Sequence, residues 1–424
     1  MKPIRGTYDL YDQEMAIHNL VIEELKKIVK RYSFTQIKTP IFEETELFKR
    51  STGNSSDIVQ KEMYEFEDKG GRSITLRPEL TAGAIRAFLT NKIYGKRQTQ
   101  YKYFYYGEAF RYERPQSGRF RQFYQFGVEM LQEKSVYADV EIISLANNII
   151  KHFGLEQKVT LKVNTIGSSK ERKLYTEILQ NYFAKYKDEL CEDCLTRLEL
   201  NPLRILDCKI DANKEIIQNA PKLKEVLEDS TLKKYAHILT ILDDLNIDYE
   251  EDATLVRGLD YYNDIVFEFV YQDEEGEYTI IGGGRYDGLI NQLANQDVPA
   301  IGFGIGVERL IYASKKTTPE IFADVVDEVE IFYMPQTEKA MPIVLKSMDN
   351  LRQYGFLCET SYTIRSLKSL YKEAESKRAI YAVVITEENL ENNLVKIKNL
   401  VTKEEDEVAL KDFEEDLIIE AKKH

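Results

Sequence analysis

The spacing of apolar residues along the chain predicts a succession of helices and strands. Residues 9–32 carry apolar side chains at intervals of three and four, which is typical of a helix with one buried face. Helices are also predicted over 82–90 and 137–153, and a strand over 159–166. Residues 104–130 are rich in Phe, Tyr and Val at both ends, as strands are, and are interrupted by polar residues in the middle. This last stretch therefore predicts two strands joined by a long loop.

The loop in the middle of the 104–130 stretch is strongly basic. Residues 111–121 hold four arginines, one proline and one glycine. Guanidinium groups bind phosphate and carboxylate through paired hydrogen bonds, so the loop is a candidate anion clamp. Gln125 and Glu129 are expected on one face of the second strand, because side chains alternate with a period of two. We interpret the stretch as a substrate site, although an exposed charged hairpin would contain the same arginines.

Changes in composition and in the predicted secondary structure along the chain indicate its domains. Residues 168–248 are helical in pattern, rich in Lys and Glu and poor in glycine, which indicates an inserted helical module. Residues 313–328 are polar and acidic and predict a linker. Residues 329–424 alternate between strand and helix patterns, which is typical of a small α/β domain with a mixed sheet. We therefore divide the chain into a domain at 1–325 and a second at 329–424.

Composition narrows the class of protein. The 424 residues are 43% apolar and 31% charged, as in globular proteins, and no stretch of the sequence predicts a membrane span. The N-terminus lacks an apolar signal-peptide core, and four cysteines without a disulfide framework favour a reducing, cytoplasmic setting. A net charge of −14 argues against a general nucleic-acid binder. Residues 91–124 are nevertheless basic and aromatic, which predicts either an RNA contact or a buried aromatic sheet with a charged rim.

The segment ITLRPELTAG at 74–83 places polar residues where a strand is expected to end. The residue before a proline avoids the helical region, so Arg77-Pro78 ends the strand. Glu79 and Thr81 follow at the strand's end, where side chains are often functional. Glu79 is equally well explained as a negative charge at the N-terminus of the 82–90 helix, and the residues alone leave both explanations open.

Two glycine-rich segments and a tyrosine pair predict a polar ligand cavity. Tyr261 and Tyr262 precede an alternating strand, and buried tyrosine hydroxyls need hydrogen-bond partners. IGGGRYDG at 281–288 lets the backbone approach a ligand, but it matches neither a P-loop nor a dinucleotide-binding pattern. GFGIGVERLI at 302–311 leads from alternating glycines to Arg309 at a helix start, which suits a nucleotide on a sheet. A tight strand–helix crossing would explain these glycines but not the arginine.

Three of the four cysteines lie close together in the sequence. Cys191 and Cys194 form a C-x-x-C pair, and Cys208 lies fourteen residues beyond it. Three thiols are compatible with part of a zinc site, but a structural tetrahedral site takes four ligands. No histidine lies nearby until His237, and Cys358 is far along the chain. We therefore expect reduced thiols and assign no metal ligand.

Four segments together resemble the signatures of the histidyl-tRNA synthetase family. The first and last are similar to motifs 2 and 3 of the class II aminoacyl-tRNA synthetases, and the middle two to motifs particular to the histidine enzymes. KTPIFE around Pro40 resembles the motif 1 region. The resemblance covers essentially the whole chain. The four segments are FRYERPQSGRFRQFYQFGVE (110–129), LVRGLDYY (255–262), GGGRYDG (282–288) and GFGIGVERL (302–310).

The resemblance implies an α+β fold: an antiparallel class II sheet flanked by helices, a helical insertion and a C-terminal α/β anticodon-binding domain. The implied reaction is ATP-dependent activation of L-histidine to histidyl-adenylate, followed by transfer to the 3′ end of tRNA(His). Mg²⁺ would accompany the ATP. A homodimer formed through motif 1 is also implied.

The resemblance further implies a role for each matching residue. Arg111 and Arg257 would be the catalytic cations at the α-phosphate, and Glu129 and Tyr262 would take the two imidazole nitrogens of histidine. The histidine-binding set is Glu79, Thr81, Arg111, Gln125, Glu129, Arg257, Tyr261 and Tyr262. The ATP-binding set is Arg111, Glu113, Arg257 and Arg309. The residues expected at the acceptor end of the tRNA are Arg114, Gln116 and Arg121.

The chain departs from the family pattern in two places. Leu80 stands where the family often has glycine and is expected to narrow the entrance near the amino-group site. In the C-terminal domain, the segment VVITEENLENN lacks a glycine that the family often carries after the strand with which this segment begins. We therefore name no anticodon contacts. A regulatory subunit of ATP phosphoribosyltransferase and a sensor of uncharged tRNA share the catalytic fold. The intact clamp residues and the complete C-terminal domain favour the enzyme over both.

Overall fold

The computed structural model describes residues 1–53, 56–95, 99–115, 118–206, 208, 210–211, 213–255, 261–323, 325 and 329–421. The chain forms two compact units: Met1–Leu10 with Ile17–Asp324, and Tyr11–Ala16 with Val325–His424. Among the described residues, no helix is both long enough and apolar enough to cross a membrane.

Strands of the first unit form a large sheet and a small one. In chain order they are β1 Thr35–Gln36, β2 Phe42–Glu44, β3 Tyr64–Glu67, β4 Ser73–Leu76, β5 Tyr101–Phe110, β6 Gln122–Leu131, β7 Val159–Thr165, β8 Glu250–Glu251, β9 Asn263–Asp273, β10 Gly276–Arg285 and β11 Ala300–Gly306. The large sheet has the order β1-β5-β6-β11-β10-β9-β7-β8. It is antiparallel except at its two-residue edge strands, β1 and β8. The small sheet, β2-β4-β3, is antiparallel throughout.

The predicted hairpin forms the second and third strands of the large sheet. β5 and β6 are the two strands of the 104–130 stretch, with the arginine loop between them, and Tyr105 pairs with Gly127 in their register. The other edge of β6 pairs with β11, so that Gly302 lies opposite Glu129. Three of the six aromatic residues of β5 are buried, namely Tyr101, Phe104 and Tyr105, and the other three are partly buried. These residues fit the buried aromatic sheet, and an RNA contact within 91–124 stays a prediction.

Helices flank the large sheet of the first unit. They are α1 Asp12–Arg31, α2 Thr45–Thr52, α3 Thr81–Thr90, α4 Val136–His152, α5 Ser169–Phe183, α6 Glu192–Leu200, α7 Glu215–Gln218, α8 Asp229–Asp244, α9 Gly288–Ala294 and α10 Val307–Thr317. A π-helical turn covers Ile58–Glu62, and 3₁₀ turns cover Ile93–Gly95, Ala184–Glu189, Pro202–Ile205, Leu223–Glu225 and Pro319–Phe322. The predicted apolar stripe of α1 is buried. With the antiparallel sheet, these helices confirm the expected α+β fold.

Helices α5 to α8 form the insertion between β7 and β8. The first of them begins with a capping box in which Ser168 and Glu171 satisfy each other's backbone N–H groups. The apolar core of the insertion is continuous with apolar residues packed around the sheet, since Leu179, Phe183 and Leu198 belong to the same buried cluster as Tyr262 and Tyr286. The insertion therefore shares a hydrophobic core with the sheet and is not a separately folded module.

The second unit has the predicted mixed sheet. Its strands are β12 Ile331–Pro335, β13 Cys358–Thr360, β14 Tyr381–Ile385, β15 Leu394–Asn399 and β16 Glu405–Ala409, in the order β13-β12-β14-β15-β16. Its helices are α11 Met341–Gln353, α12 Leu367–Ser376, α13 Glu387–Glu391 and α14 Phe413–Ala421, with a 3₁₀ turn at Glu338–Ala340. β12 pairs in parallel with both neighbours, whereas β15 and β16 are antiparallel. Apolar side chains cover both faces.

The linker predicted at 313–328 is wrong for most of its described residues. Helix α10 continues to Thr317, and a 3₁₀ turn follows at Pro319–Phe322. Phe322 is buried, which fixes this turn to the first unit. Residues 324 and 326–328 lie outside the described part of the chain.

Candidate active site

A cleft of about 580 Å³ opens over the central strands of the large sheet. Its floor is made by the glycines of β10 and β11, among them Gly282, Gly302 and Gly304. A Cβ atom at Gly302 would lie 2.0 Å from Glu129 Oε2, and one at Gly304 would lie 2.6 Å from Gln125 Nε2. The alternating glycines of β11 thus make room for the polar side chains of β6.

Glu129 is buried at the bottom of the cleft. Its Oε1 accepts a 2.9 Å hydrogen bond from the Tyr105 hydroxyl, and its Oε2 accepts one from Tyr286. Burial raises the pKa of Glu129 to about 7, and hydrogen bonds from Tyr286, Thr81 and Tyr105 only partly oppose that rise. The cleft therefore holds a carboxylate that lacks a cationic partner among the described residues.

Other polar side chains surround Glu129. Gln125 Oε1 is buried and has no hydrogen-bond partner among the described residues. The hydroxyls of Thr81 and Tyr105 lie 3.0 Å apart. Tyr261 and Tyr262 are both buried in the cleft wall, with ring centroids 4.7 Å apart. The structure thus brings together Thr81, Gln125, Glu129, Tyr261 and Tyr262, five of the residues predicted to bind histidine.

Glu79 serves the helix as well as the cleft. Its carboxylate accepts hydrogen bonds from the backbone N–H groups of Thr81 and Ala82, at 2.6 and 2.7 Å, in the first turn of α3. It also lines the cleft. Burial raises the pKa of Glu79, while these two N–H groups act in the opposite direction. The explanation of Glu79 as a charge at the N-terminus of the helix is therefore confirmed, and its role in binding a substrate stays a prediction.

Three arginines, Arg111, Arg119 and Arg309, line another part of the cleft. Glu113 lies 3.8 Å from Arg111 and 3.6 Å from Arg119, as the carboxylate partner of both. Burial, together with repulsion by Arg119 and Arg111, lowers the pKa of Arg309 to about 10, and the carboxylate of Glu113 opposes this shift. Mutual repulsion between guanidinium groups is relieved by an anion, so the arrangement is suited to bind phosphate.

The cationic side chains are held in place by backbone carbonyl groups. Arg309 donates to the carbonyl oxygens of Thr279, at 2.8 Å, and Gly118, at 3.3 Å. Arg111 Nε donates to the Pro78 carbonyl at 2.8 Å, and its guanidinium lies over the ring of Phe123. These bonds engage one side of each guanidinium and keep it oriented in the cleft.

The outer part of the arginine loop lies away from the cleft. Arg114 is exposed, and Arg121 stacks 3.9 Å above the exposed ring of Tyr112. Neither residue lines the cleft. Two predicted residues, Gln116 and Arg257, lie outside the described part of the chain.

The sequence interpretation missed several residues of the site. Tyr105 and Tyr286 donate hydrogen bonds to Glu129. Tyr286 lies in the GGGRYDG segment, so its presence in a family motif was a signal that could have identified it. Glu308 accepts hydrogen bonds from Tyr8 and from the Tyr124 backbone, at 2.5 and 2.7 Å, so the N-terminal segment helps to fix the wall of the cleft. No local pattern in the sequence indicates that contact.

The insertion also forms part of the cleft, which the sequence did not predict. Arg204 forms a 2.6 Å ion pair with Asp57, and Arg197 lies 3.7 Å from the same carboxylate. All three side chains line the cleft.

The expectation that Leu80 narrows the entrance is wrong. Leu80 is buried and packs with Ala84, Tyr105 and Ala109. It is not among the residues that line the cleft. Its side chain supports the back of Tyr105 instead.

Family models match nearly all of the chain. One described as histidyl-tRNA synthetase matches residues 6–310, and one described as anticodon-binding domain matches residues 328–418. The chain is 42% identical over 417 residues to the histidine–tRNA ligase of Halothermothrix orenii, covering 98% of this chain and 99% of that protein. It is 41% identical over 412 residues to the histidine–tRNA ligase of Bacillus subtilis, covering 96% of each.

Solved structures are similar over more than nine-tenths of the chain. The structure of apo histidyl-tRNA synthetase from Staphylococcus aureus aligns with a TM-score of 0.83 at 33% identity, covering 98% of this chain and 99% of that one. A Bacillus halodurans protein titled as an ATP phosphoribosyltransferase regulatory subunit/histidyl-tRNA synthetase aligns with a TM-score of 0.63 at 18% identity, covering 91% and 98%. That second likeness concerns the fold alone.

Proposed function

The chain belongs to the histidyl-tRNA synthetase family, and from that premise we propose how its cleft performs the reaction of a histidine–tRNA ligase. L-Histidine is activated by ATP to histidyl-adenylate and is then transferred to the 3′ end of tRNA(His). One observation carries the proposal: a single cleft contains a buried carboxylate held by two tyrosines and a cluster of three arginines. The first suits an imidazole and the second suits a triphosphate.

Glu129 and Tyr262 are the residues we assign to the imidazole ring, with Tyr261 beside them. A histidine side chain carries one nitrogen on each edge, so its recognition needs polar groups on opposite walls. A side chain without these nitrogens would leave the buried carboxylate of Glu129 with no partner beyond the hydroxyl groups that already donate to it. Such a penalty gives discrimination of roughly 10⁴–10⁵-fold, which makes a separate editing site unnecessary.

The backbone groups of the amino acid are assigned to the rim of the same pocket. Gln125 Oε1 is a buried acceptor without a partner among the described residues, and an α-ammonium group supplies the missing donor. Thr81 adds a hydroxyl. Glu79 adds negative charge rather than a free hydrogen-bond acceptor, because both of its carboxylate oxygens already accept hydrogen bonds from the first turn of α3. Together they orient the carboxylate of histidine toward the arginines.

The arginines are assigned to ATP. Arg111 and Arg257 neutralise the α-phosphate while the carboxylate of histidine attacks phosphorus and pyrophosphate leaves. Arg309 holds the γ-phosphate, and Glu113 faces the adenine. Both reacting groups are anionic, so charge neutralisation and alignment supply most of the catalysis. The attacking carboxylate is already ionised and needs no general base.

Mg²⁺ would be bound together with ATP, and it would supply positive charge beside the phosphate oxygens. Glu62 fits as the residue that holds it. Its side chain is half-buried in the cleft and has no hydrogen bond or ion pair within the described ranges. Burial raises the pKa of Glu62, and the positive charges of Arg111 and Arg119 oppose that rise only in part. Mg²⁺ typically takes one or two protein carboxylates together with phosphate oxygens.

The tRNA is assigned to surfaces outside the cleft. Arg114, Gln116 and Arg121 would contact the acceptor end, and the stacked pair of Arg121 on Tyr112 offers a cation on an exposed ring. We assign the catalytic domain to residues 1–325 and the anticodon-binding domain to residues 329–424. No individual anticodon contact is assigned.

We further propose that the chain is a cytoplasmic homodimer. Three large apolar side chains, Ile41, Phe42 and Phe66, are 42%, 55% and 46% exposed at or beside the small sheet. This is the region of the motif 1 resemblance, and a second copy would cover it. The four free cysteines agree with a reducing compartment.

The dimer proposal is tested by the mass of the native chain in solution. Phe42→Asp is expected to give a monomer. Tyr354→Asp, which alters an exposed aromatic residue of the second unit, should leave the dimer intact. A native monomer at micromolar concentration would contradict the proposal.

The decisive test of function is amino-acid-dependent exchange between ATP and pyrophosphate. With Mg²⁺ present, histidine should support exchange and the other nineteen amino acids should not. Glu129→Gln should abolish exchange, whereas Glu23→Gln on the exposed face of α1 should not change it. Failure of every amino acid, in protein that is folded, would refute the enzyme and favour a regulatory subunit or a sensor of uncharged tRNA.

A further inference from the structure

The insertion contains a compact cluster of three thiols and one carboxylate. Cys191, Cys194, Cys208 and Asp211 each offer one ligand atom, and these atoms all lie within 4.8 Å of one another. Cys194, Cys208 and Asp211 are buried, and Cys191 is half-buried. Asp211 supplies the fourth donor whose absence argued against a metal in the sequence. It was overlooked because carboxylates are common and carry no spacing signal.

Local structure explains why the four side chains meet. Cys191 is the N-cap of α6 and Cys194 lies in its first turn, so both thiols project at the same helix end. Cys208 follows the 3₁₀ turn Pro202–Ile205, where its N–H donates to the Ile205 carbonyl. Asp211 Oδ2 then accepts a 2.9 Å hydrogen bond from the Cys191 backbone N–H. Two segments of the insertion are thereby joined at this point.

The distances match a tetrahedral metal site. With a Zn–S bond of about 2.3 Å, two sulfur ligands of one zinc ion are about 3.8 Å apart. The Sγ atoms of Cys191 and Cys208 are 3.7 Å apart. A disulfide requires about 2.05 Å, so these thiols are not bonded to each other in this structure. This pair of thiols already has the separation that zinc imposes, and the other ligand atoms lie within 4.8 Å of one another.

The charges also favour a divalent cation. Asp211 is 0% exposed, and its cationic neighbour, Lys214, lies 2.7 Å from Oδ1 as an ion pair but is itself partly exposed. Buried carboxylates and thiolates are stable only when paired or bound to a metal. Zinc would offset the charge of the ligands, and Lys214 would offset part of what remains.

We propose that Cys191, Cys194, Cys208 and Asp211 bind one structural Zn²⁺ ion. The ion fixes the part of the insertion that forms a wall of the cleft, since Cys208 and Ile210 line the cleft and Asp193 and Arg197 do so from α6. All four ligand positions are taken by the protein, which is the arrangement of a structural site rather than a catalytic one. The proposal does not depend on the reaction assigned to the cleft.

Metal content of the native chain is the first test, because it requires no variant. Protein purified without chelator should contain one Zn²⁺ per chain by elemental analysis. After removal of the metal under reducing conditions, the protein should bind one equivalent of Co²⁺. The absorption spectrum should then show thiolate-to-cobalt charge transfer and the visible bands of tetrahedral Co²⁺. Four free thiols per chain should be counted in the unfolded protein. A chain without zinc that gives no such cobalt spectrum overturns the proposal, as does a count of two thiols, which would mean a disulfide.

Variants then test each ligand, with circular dichroism to confirm folding. Cys194→Ser and Cys208→Ser should weaken Zn²⁺ binding by more than about 100-fold. Mutating a residue that only hydrogen-bonds to a metal ligand already reduces metal affinity by about 10–100-fold. Asp211→Asn should weaken binding and alter the cobalt spectrum. Cys358→Ser, which removes the buried cysteine of the second unit, should keep one Zn²⁺. Unchanged affinity and spectrum in Asp211→Asn would overturn the four-ligand assignment.

Discussion

Replacing Glu129 by glutamine should stabilise the empty protein while it destroys function. The ionised carboxylate is buried, and the pKa of Glu129 is raised from 4.5 to about 7. One pKa unit corresponds to about 1.4 kcal/mol, so the ionised group destabilises the fold by about 3 kcal/mol above pH 7. Glutamine keeps the shape and carries no charge.

The pH dependence gives this prediction its sign. Between pH 4.5 and 7 the folded chain holds a proton on Glu129 that the unfolded chain has released, so the free energy of unfolding falls as the pH rises. Below 4.5 both states are protonated and the penalty is absent. The glutamine variant has no such group. The difference in unfolding free energy, variant minus native, should therefore grow by about 3 kcal/mol from pH 4.5 to pH 8 and then level off.

Urea unfolding at a series of pH values measures this difference. The chain has 28 tyrosines and no tryptophan, so tyrosine fluorescence and circular dichroism are suitable probes. Any constant effect of weaker hydrogen bonds from Tyr105 and Tyr286 cancels, because only the change with pH is used. Glu23→Gln is the control: a hydrogen bond from Lys26 lowers the pKa of Glu23, so its small effect has the opposite sign. A difference that is constant, or that shrinks as pH rises, would refute the reasoning.

Three further substitutions test the supports of the site. Tyr286→Phe removes a donor to Glu129, and since such bonds contribute about 1.5–3 kcal/mol, kcat/KM for histidine in pyrophosphate exchange should fall about 10–100-fold; Tyr278→Phe, whose buried hydroxyl has no partner in the described structure, should remain active. Gly302→Ala puts a Cβ 2.2 Å from the Val128 carbonyl oxygen, so exchange should be lost and stability should fall by about 1–3 kcal/mol in thermal unfolding, whereas Gly95→Ala, whose Cβ would have no described atom within 4 Å, should be neutral. Asp139→Asn leaves Arg285, which lies 2.6 Å away and is fully buried, without its main counter-charge and should cost about 3–5 kcal/mol; Asp297→Asn, in an exposed pair with Lys134, should cost less than about 1 kcal/mol, and equal losses in the two would refute the argument.

Local periodicity was enough to predict the positions that lie along one strand or helix. Gln125 and Glu129 were placed on one face by the two-residue period of a strand, and both line the cleft. Arg309 was placed at a helix start, which is where α10 begins. These predictions needed only the geometry of a single element.

Positions that depend on which strands become neighbours were not predicted. Tyr105 reaches Glu129 from β5, and Tyr286 follows the end of β10 and reaches it across β11. The order of strands in a sheet is set by long-range pairing, which a single sequence does not contain. Leu80 failed for a related reason, since its direction is fixed by core packing against Tyr105 rather than by the family pattern. Asp211 joins the thiols only because two segments of the insertion fold together.

The unsatisfied groups of the empty cleft are, taken together, the inverse of the proposed ligands. Gln125 offers a buried acceptor without a donor, Glu129 is a buried carboxylate whose pKa is raised by burial, and Arg309 is a buried cation whose pKa is lowered by burial and by neighbouring arginines. Each costs the empty protein stability. An ammonium group, an imidazole and a phosphate would satisfy the three in turn, and histidine with ATP supplies all of them. Since a folded protein rarely keeps three such groups in one cavity without a function, their coincidence supports the proposed ligands independently of the sequence motifs.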